Sequence, residues 1–169
     1  IQPAESKSIV RLRFEGSSPA TNIIGGERLP GIVNYFTGDS TEWKTNIPTY
    51  SGIVYQQLYS GIDLLYEGNE GQLKGTYTLA PGADPKDIRW HYEGAESARV
   101  DEVTGDLVIT LQSSIGDKER ITIIERAPTA WQDINGKRTP VQVRYAVNSV
   151  NGLGFEVVKY EPHHALIID

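Results

Sequence analysis

Apolar and polar residues alternate along most of this chain. The period is two in residues 9–14 (IVRLRF), 32–36 (IVNYF), 106–111 (DLVITL), 121–124 (ITII) and 141–147 (VQVRYAV). That period puts successive side chains on opposite faces of an extended backbone, so each run predicts a strand. The apolar runs are short and rich in β-branched and aromatic residues. Gly, Pro, Asn or Asp bound them, supplying the backbone angles that turns require. No window of a dozen residues carries helical spacing, so helices are expected to be absent or vestigial.

Turn chemistry extends this reading. Asn135-Gly136 and Asn151-Gly152 separate extended segments, and such pairs suit two-residue hairpins because both central positions take φ > 0. The last third therefore reads as a meander. Gly68-Asn69-Glu70-Gly71 joins residues 62–66 to residues 73–79 in a similar way. Many short strands punctuated like this predict an all-β fold, an antiparallel β-sandwich.

Part of the pattern recurs. VRLRFEGS at 10–17 returns as IRWHYEGA at 88–95, an offset of 78 residues with three identical positions and apolar residues at alternate places in both. Ile47-Pro48-Thr49 returns as Ala127-Pro128-Thr129, and Leu73 returns as Leu153, both at an offset of 80. Matches in one order at nearly one offset predict an internal duplication. The expected division is a first β-unit over residues 1–85 and a second over 86–169, packed together as one domain around a pseudo-twofold axis.

Composition narrows the function classes. A chain of 169 residues is long enough to bury roughly 70% of its unfolded surface in one core. Net charge is −6 and the basic residues are dispersed, which argues against nucleic acid and against an anionic membrane surface as partners. No stretch approaches the ~20 apolar residues of a membrane-spanning helix. With no Cys, disulfides, thiolate metal sites and cysteine nucleophiles are excluded. There is no Met either, so Ile1 is not expected to be a translation start, and the chain reads as processed or cut from something longer.

Candidate chemistry is sparse. His91 takes the place of Arg13 in the repeat, on the polar side of a strand, which suits a solvated residue. His163 and His164 are adjacent and would point to opposite faces of an extended chain, so they do not share a metal easily. Glu15 and Glu93 recur, and a glycosidase needs only two facing carboxylates. Each, however, precedes Gly at a strand end, where closing a ladder explains it. No G-x-S-x-G or S-x-x-K pattern occurs, so catalysis is not expected. The acidic loops 38–42 and 101–106 offer oxygen ligands but lack the spacing of a dedicated calcium loop. No cofactor is expected, and calcium is the one metal left open. Trp43, Tyr50, Tyr55 and Tyr59 cluster in sequence as a candidate platform on which a glycan could stack, against the plainer reading that strand aromatics cover a core.

Several segments together carry a family likeness: VRLRFEG at 10–16, LPGIVNYFTGD at 29–39, WKTNIPTY at 43–50, and the run YSGIDLLYEGNEGQLKGTYTLAPGADPKDIRWHYEGA at 59–95, followed by TGDLVIT and the closing ALIID. The chain resembles, over nearly its whole length, the uncharacterised N-terminal domain found upstream of SBBP-type β-propeller repeats in large secreted bacterial surface proteins. Lys74-Gly75 and the polar residues 112–118 depart from that pattern. The resemblance implies an exported, non-enzymatic module near the front of a multidomain protein, and it brings no catalytic or ligand residues with it.

The leading expectation is thus a non-catalytic extracellular structural or interaction module, spacing or assembling neighbouring domains or subunits. Exposed edge strands would do the pairing, with residues 6–14 and 165–169 as candidates. A carbohydrate-binding module is the alternative, and a glycan-active enzyme the third reading.

Overall fold

A computed structural model of the protein describes residues 9–69, 71–111, 121–148 and 152–169. Strands dominate them. The first half holds β1 (Arg11–Phe14), β2 (Asn22–Gly25), a hairpin of β3 (Arg28–Tyr35) and β4 (Lys44–Tyr50), and a meander of β5 (Gly52–Tyr59), β6 (Ile62–Asn69) and β7 (Gln72–Leu79). The second holds β8 (Arg89–Glu93), β9 (Ala95–Val100), β10 (Leu107–Leu111), β11 (Thr122–Glu125), a meander of β12 (Ala130–Ile134), β13 (Lys137–Val147) and β14 (Leu153–Val158), and finally β15 (Leu166–Ile168). Among the described residues, helix is limited to two three-residue 3-10 turns, Ser40–Glu42 and Pro85–Asp87.

Turn residues act as the sequence implies. Asn135 and Gly136 take φ of 53° and 75°, the paired positive angles that let β13 fold directly back on β12. Asn151 of the second Asn-Gly pair lies outside the described residues, though β13 and β14 do pair antiparallel.

Ten strands form one antiparallel sheet in the order β1-β8-β14-β13-β12-β15-β7-β6-β5-β2, while β11-β10-β9 and β3-β4 form smaller sheets. Consecutive strands β1 and β2 stand at opposite ends of the large sheet, yet only residues 15–21 connect them, a reach of about 25 Å at most. The sheet must therefore roll. Its closure is visible in the Ser18 amide donating to the Leu58 carbonyl at 2.8 Å and in the Phe14 ring lying 6.1 Å from that of Tyr55. Tyr59 locks the seam, its hydroxyl donating to the Arg89 carbonyl at 2.6 Å and accepting from the Arg89 amide at 3.2 Å.

One core fills the roll. It gathers Leu58, Ile62, Leu64 and Leu79 from the first meander, Trp90 from β8, and Leu153 and Phe155 from β14. Leu107 and Ile109 of β10 enter the same cluster, and β9 lies against β13. The three-stranded sheet thus layers over the large one, as expected for an all-β antiparallel protein with sandwich-like packing.

Residues 165–169 do not form the open edge expected of them. β15 sits between β12 and β7, paired to both, with Leu166 and Ile168 each 1% exposed. Alternating apolar residues at a chain end look the same whether the strand lies at an edge or in the middle. Here the interior position buries both. Of the other expected edge, β1 is an edge strand, and residues 6–8 fall outside the described residues.

Element order recurs in the two halves. Each runs strand, strand, hairpin, three-stranded meander, with β3 paired to β4 as β10 is to β11. The matched segments at 10–17 and 88–95 even pair with each other, Leu12 opposite Tyr92 and Phe14 opposite Trp90. Other pairings and environments diverge: β2 pairs with β5 but β9 with β10, and Leu73 is 73% exposed where Leu153 is 2%.

Candidate interaction surface

The four aromatics of the suggested platform lie in different surroundings. In β5 the ladder breaks between Tyr55 and Tyr59, and Gln57 takes φ of 53°. This bulge turns both Leu58 and Tyr59 inward, to 2% and 4% exposure, where strict alternation would bury one. Tyr59 therefore offers no face to a ligand. Tyr55 packs edge-on to Tyr66 and against Phe14. Trp43 and Tyr50 stay exposed, but Trp43 pairs edge-on with Phe36 at 5.1 Å and Tyr50 lies over Gly25, where a Cβ would overlap its ring.

Tyr50 does border a groove. About 530 Å³ of open space is lined by Ile23, Ile24, Tyr50, Ile53, Tyr66 and Leu73, with glycines between them, and no charged or amide side chain takes part. Glycines at 25 and 52 make room for the Tyr50 ring and for the close passage of strands. The groove continues into the β3-β4 hairpin through the pairing of Arg28 with Tyr50. Every residue of β3 is exposed, including Leu29, Ile32, Val33 and Tyr35. The run IVNYF at 32–36 is thus bare on both faces. Monomers seldom expose an apolar patch beyond a few hundred Å² without using it.

The candidate chemical residues are engaged in cross-strand pairs and turns. Glu93 accepts from Arg13 at 2.8 Å, and that cation and its hydrogen bond hold the carboxyl below its usual range. Glu15 faces His91 Nδ1 at 2.9 Å. Asp101 accepts from the amides of Val103 and Thr104, which lower its pKa and close the turn. Among the described residues, no three His, Asp or Glu side chains converge as a metal set. His163 and His164 lie in the loop before β15, where the His164 carbonyl, not its ring, meets Gln132.

One buried polar group and one half-buried one give no signal in the sequence. Gln132 is 1% exposed and grips the loop ahead of β15: its Nε2 donates to the carbonyls of Glu161 and His164 at 2.9 and 3.1 Å, and its Oε1 accepts from the Glu161 amide at 2.8 Å. Glu125 accepts from the Tyr92 hydroxyl. Burial raises its pKa, with that hydrogen bond opposing. Burial and the nearby carboxylate push the Tyr66 and Tyr145 phenols up as well. Neither residue carries a motif. The groove did leave a mark, since residues 16–26 contain no charge at all.

A family model described as a domain of unknown function (DUF7948) matches residues 2–169, and the chain belongs to that family. No curated protein and no solved structure matches it.

Proposed function

We propose that this DUF7948 domain is a non-catalytic structural or interaction module of an exported bacterial surface protein, joining neighbouring domains or subunits through the β3-β4 arm. One observation carries the reading: a two-stranded arm that leaves Leu29, Ile32, Tyr35, Phe36 and Trp43 exposed. An isolated two-stranded hairpin is marginal in water, and such side chains gain roughly 1.5–3 kcal/mol each when fully covered. A partner surface supplies that cover. The placement on a bacterial exterior, ahead of propeller-type repeats, rests on the resemblance of the sequence. The apolar lining of the groove favours a protein surface over a sugar, whose hydroxyls need polar partners.

Amide hydrogen exchange tests this. In the full-length protein, residues 28–36 and 43–50 are expected to exchange more slowly than in the isolated domain. Equal exchange in both, together with saturable binding on a glycan array, would replace the reading with the carbohydrate-binding one.

A further inference from the structure

Six strands stand at sheet edges among the described residues: β1 and β2, β9 and β11, β3 and β4. An open edge is a row of unpaired amides and carbonyls, and proteins guard such rows with charge or proline. Five of the six are guarded. β1 carries Arg11 and Arg13, β3 carries Arg28 and Pro30, β4 carries Lys44 and Pro48, β9 carries Glu96 and Arg99, and β11 ends on Glu125. β2 alone has neither, reading Asn22-Ile23-Ile24-Gly25. Its isoleucines are 59% and 40% exposed although adjacent residues point to opposite faces, so both faces of this edge are apolar. On its far side from β5, β2 has no backbone partner among the described residues.

Resting on the reading of the domain as an interaction module, we infer that β2 is its docking edge and that the occupant is β2 of a second copy, added antiparallel about a twofold axis that passes between Ile24 and its own copy. Charge selects this occupant among the chain's own edges. Any other edge would bring Arg, Lys, Glu or proline against an uncharged strand and an uncharged groove. β2 against itself sets Ile24 opposite Ile24 of the second copy on one face and Ile23 opposite Gly25 on the other, with Asn22 opposite Gly26 and no charge desolvated. The surface beside the edge favours the same occupant: Ile23, Ile24, Tyr50, Ile53 and Leu73 are all exposed on β2 and the groove next to it, so the added strand covers apolar side chains as well as open backbone groups.

Sedimentation equilibrium of the chain, with Ile24→Lys and Ile24→Glu variants checked for unchanged circular dichroism and melting, tests the inference. The unsubstituted chain is expected to dimerise. Ile24→Lys sets a lysine against an apolar edge and weakens the dimer by at least ~100-fold. An equimolar mixture of Ile24→Lys and Ile24→Glu is expected to recover a heterodimer, because the twofold register sets position 24 opposite its own copy. A monomer at all concentrations overturns the inference. So does a dimer that survives Ile24→Lys but is lost in Phe36→Ser, and that result would leave the arm as the interaction surface. Failure of the module reading itself registers separately, in the hydrogen exchange of the arm.

Discussion

Arg13 and His91 stand directly opposite each other in the β1-β8 pair. Glu93 bonds Arg13 and Glu15 bonds His91, at 2.8 and 2.9 Å, so exchanging the two strands about this point carries one pair onto the other. The residues with the most catalytic look in the sequence are thus two halves of one cross-strand lattice.

That lattice is exposed, with Arg13 and Glu93 side chains 58% and 49% accessible. Exposed pairs contribute 0–1 kcal/mol, and salt screens them. Arg13→Ala is expected to lower unfolding free energy by no more than about 1 kcal/mol, with the difference fading in about 1 M salt. Urea titrations at two ionic strengths read this, and a salt-independent loss would mean that the stem of Arg13 matters more than its charge.

Gln132 should matter far more. Gln132→Leu keeps the volume but strands two carbonyls and one amide of the loop that delivers β15, so a loss of roughly 2–4 kcal/mol is expected. Guanidinium unfolding measures it. A loss under about 1 kcal/mol would show that the loop holds its place without this side chain.

Tyr59 closes the roll from a buried position. Tyr59→Phe takes the hydroxyl away from the Arg89 amide, while the Arg89 carbonyl keeps the Glu15 amide at 2.8 Å, and is expected to cost about 1 kcal/mol without altering any glycan retention. Thermal melts alongside glycan binding separate the two effects, and lost binding at full stability would return Tyr59 to a ligand role.

Stability should depend on pH through Glu125. Burial raises its pKa in the fold above the unfolded value, with the Tyr92 hydroxyl opposing in part. The folded state therefore holds the protonated carboxyl more tightly. Glu125 favours folding below the ordinary carboxylate range, and that contribution is lost as pH rises through the folded pKa. Glu125→Gln, neutral throughout, is expected to be more stable than the unsubstituted protein near pH 7, with the gap closing toward about pH 4. A variant less stable at neutral pH would mean that the ionised carboxylate helps hold Tyr92.

β15 is the stitch between the two meanders. Leu166→Ala is expected to cost 2–5 kcal/mol and to speed amide exchange in β7 and β12 together. Exchange confined to one of these strands would show that the meanders are held by something else.

Much of the fold was legible in the chain, and the reasons differ by element. The runs at 106–111, 121–124 and 141–147 became β10, β11 and β13 with small shifts of boundary, because period-two patterning is a property of neighbours. Asn135-Gly136 set its hairpin for the same local reason. The run at 32–36 forms strand through Tyr35 with no buried face, since alternation says which side chains share a face and not whether anything covers that face. Gln132 and Glu125 were silent, because a single polar residue in a strand looks the same whether it meets water or a distant carbonyl.

By itself the sequence determined strand content, turn positions, the absence of charge over residues 16–26, and the matched segments at 10–17 and 88–95, which pair with each other. Only the tertiary structure decided that β15 lies inside the sheet and β2 at its open edge, that Tyr59 faces inward, and that the β3-β4 arm stands uncovered. The physical reason is one of range. Local alternation and φ preferences are written in adjacent residues, whereas the neighbours of a strand are chosen by burial across the whole chain. β15 pairs with residues near 78 and near 131, and no pattern within residues 166–168 names either.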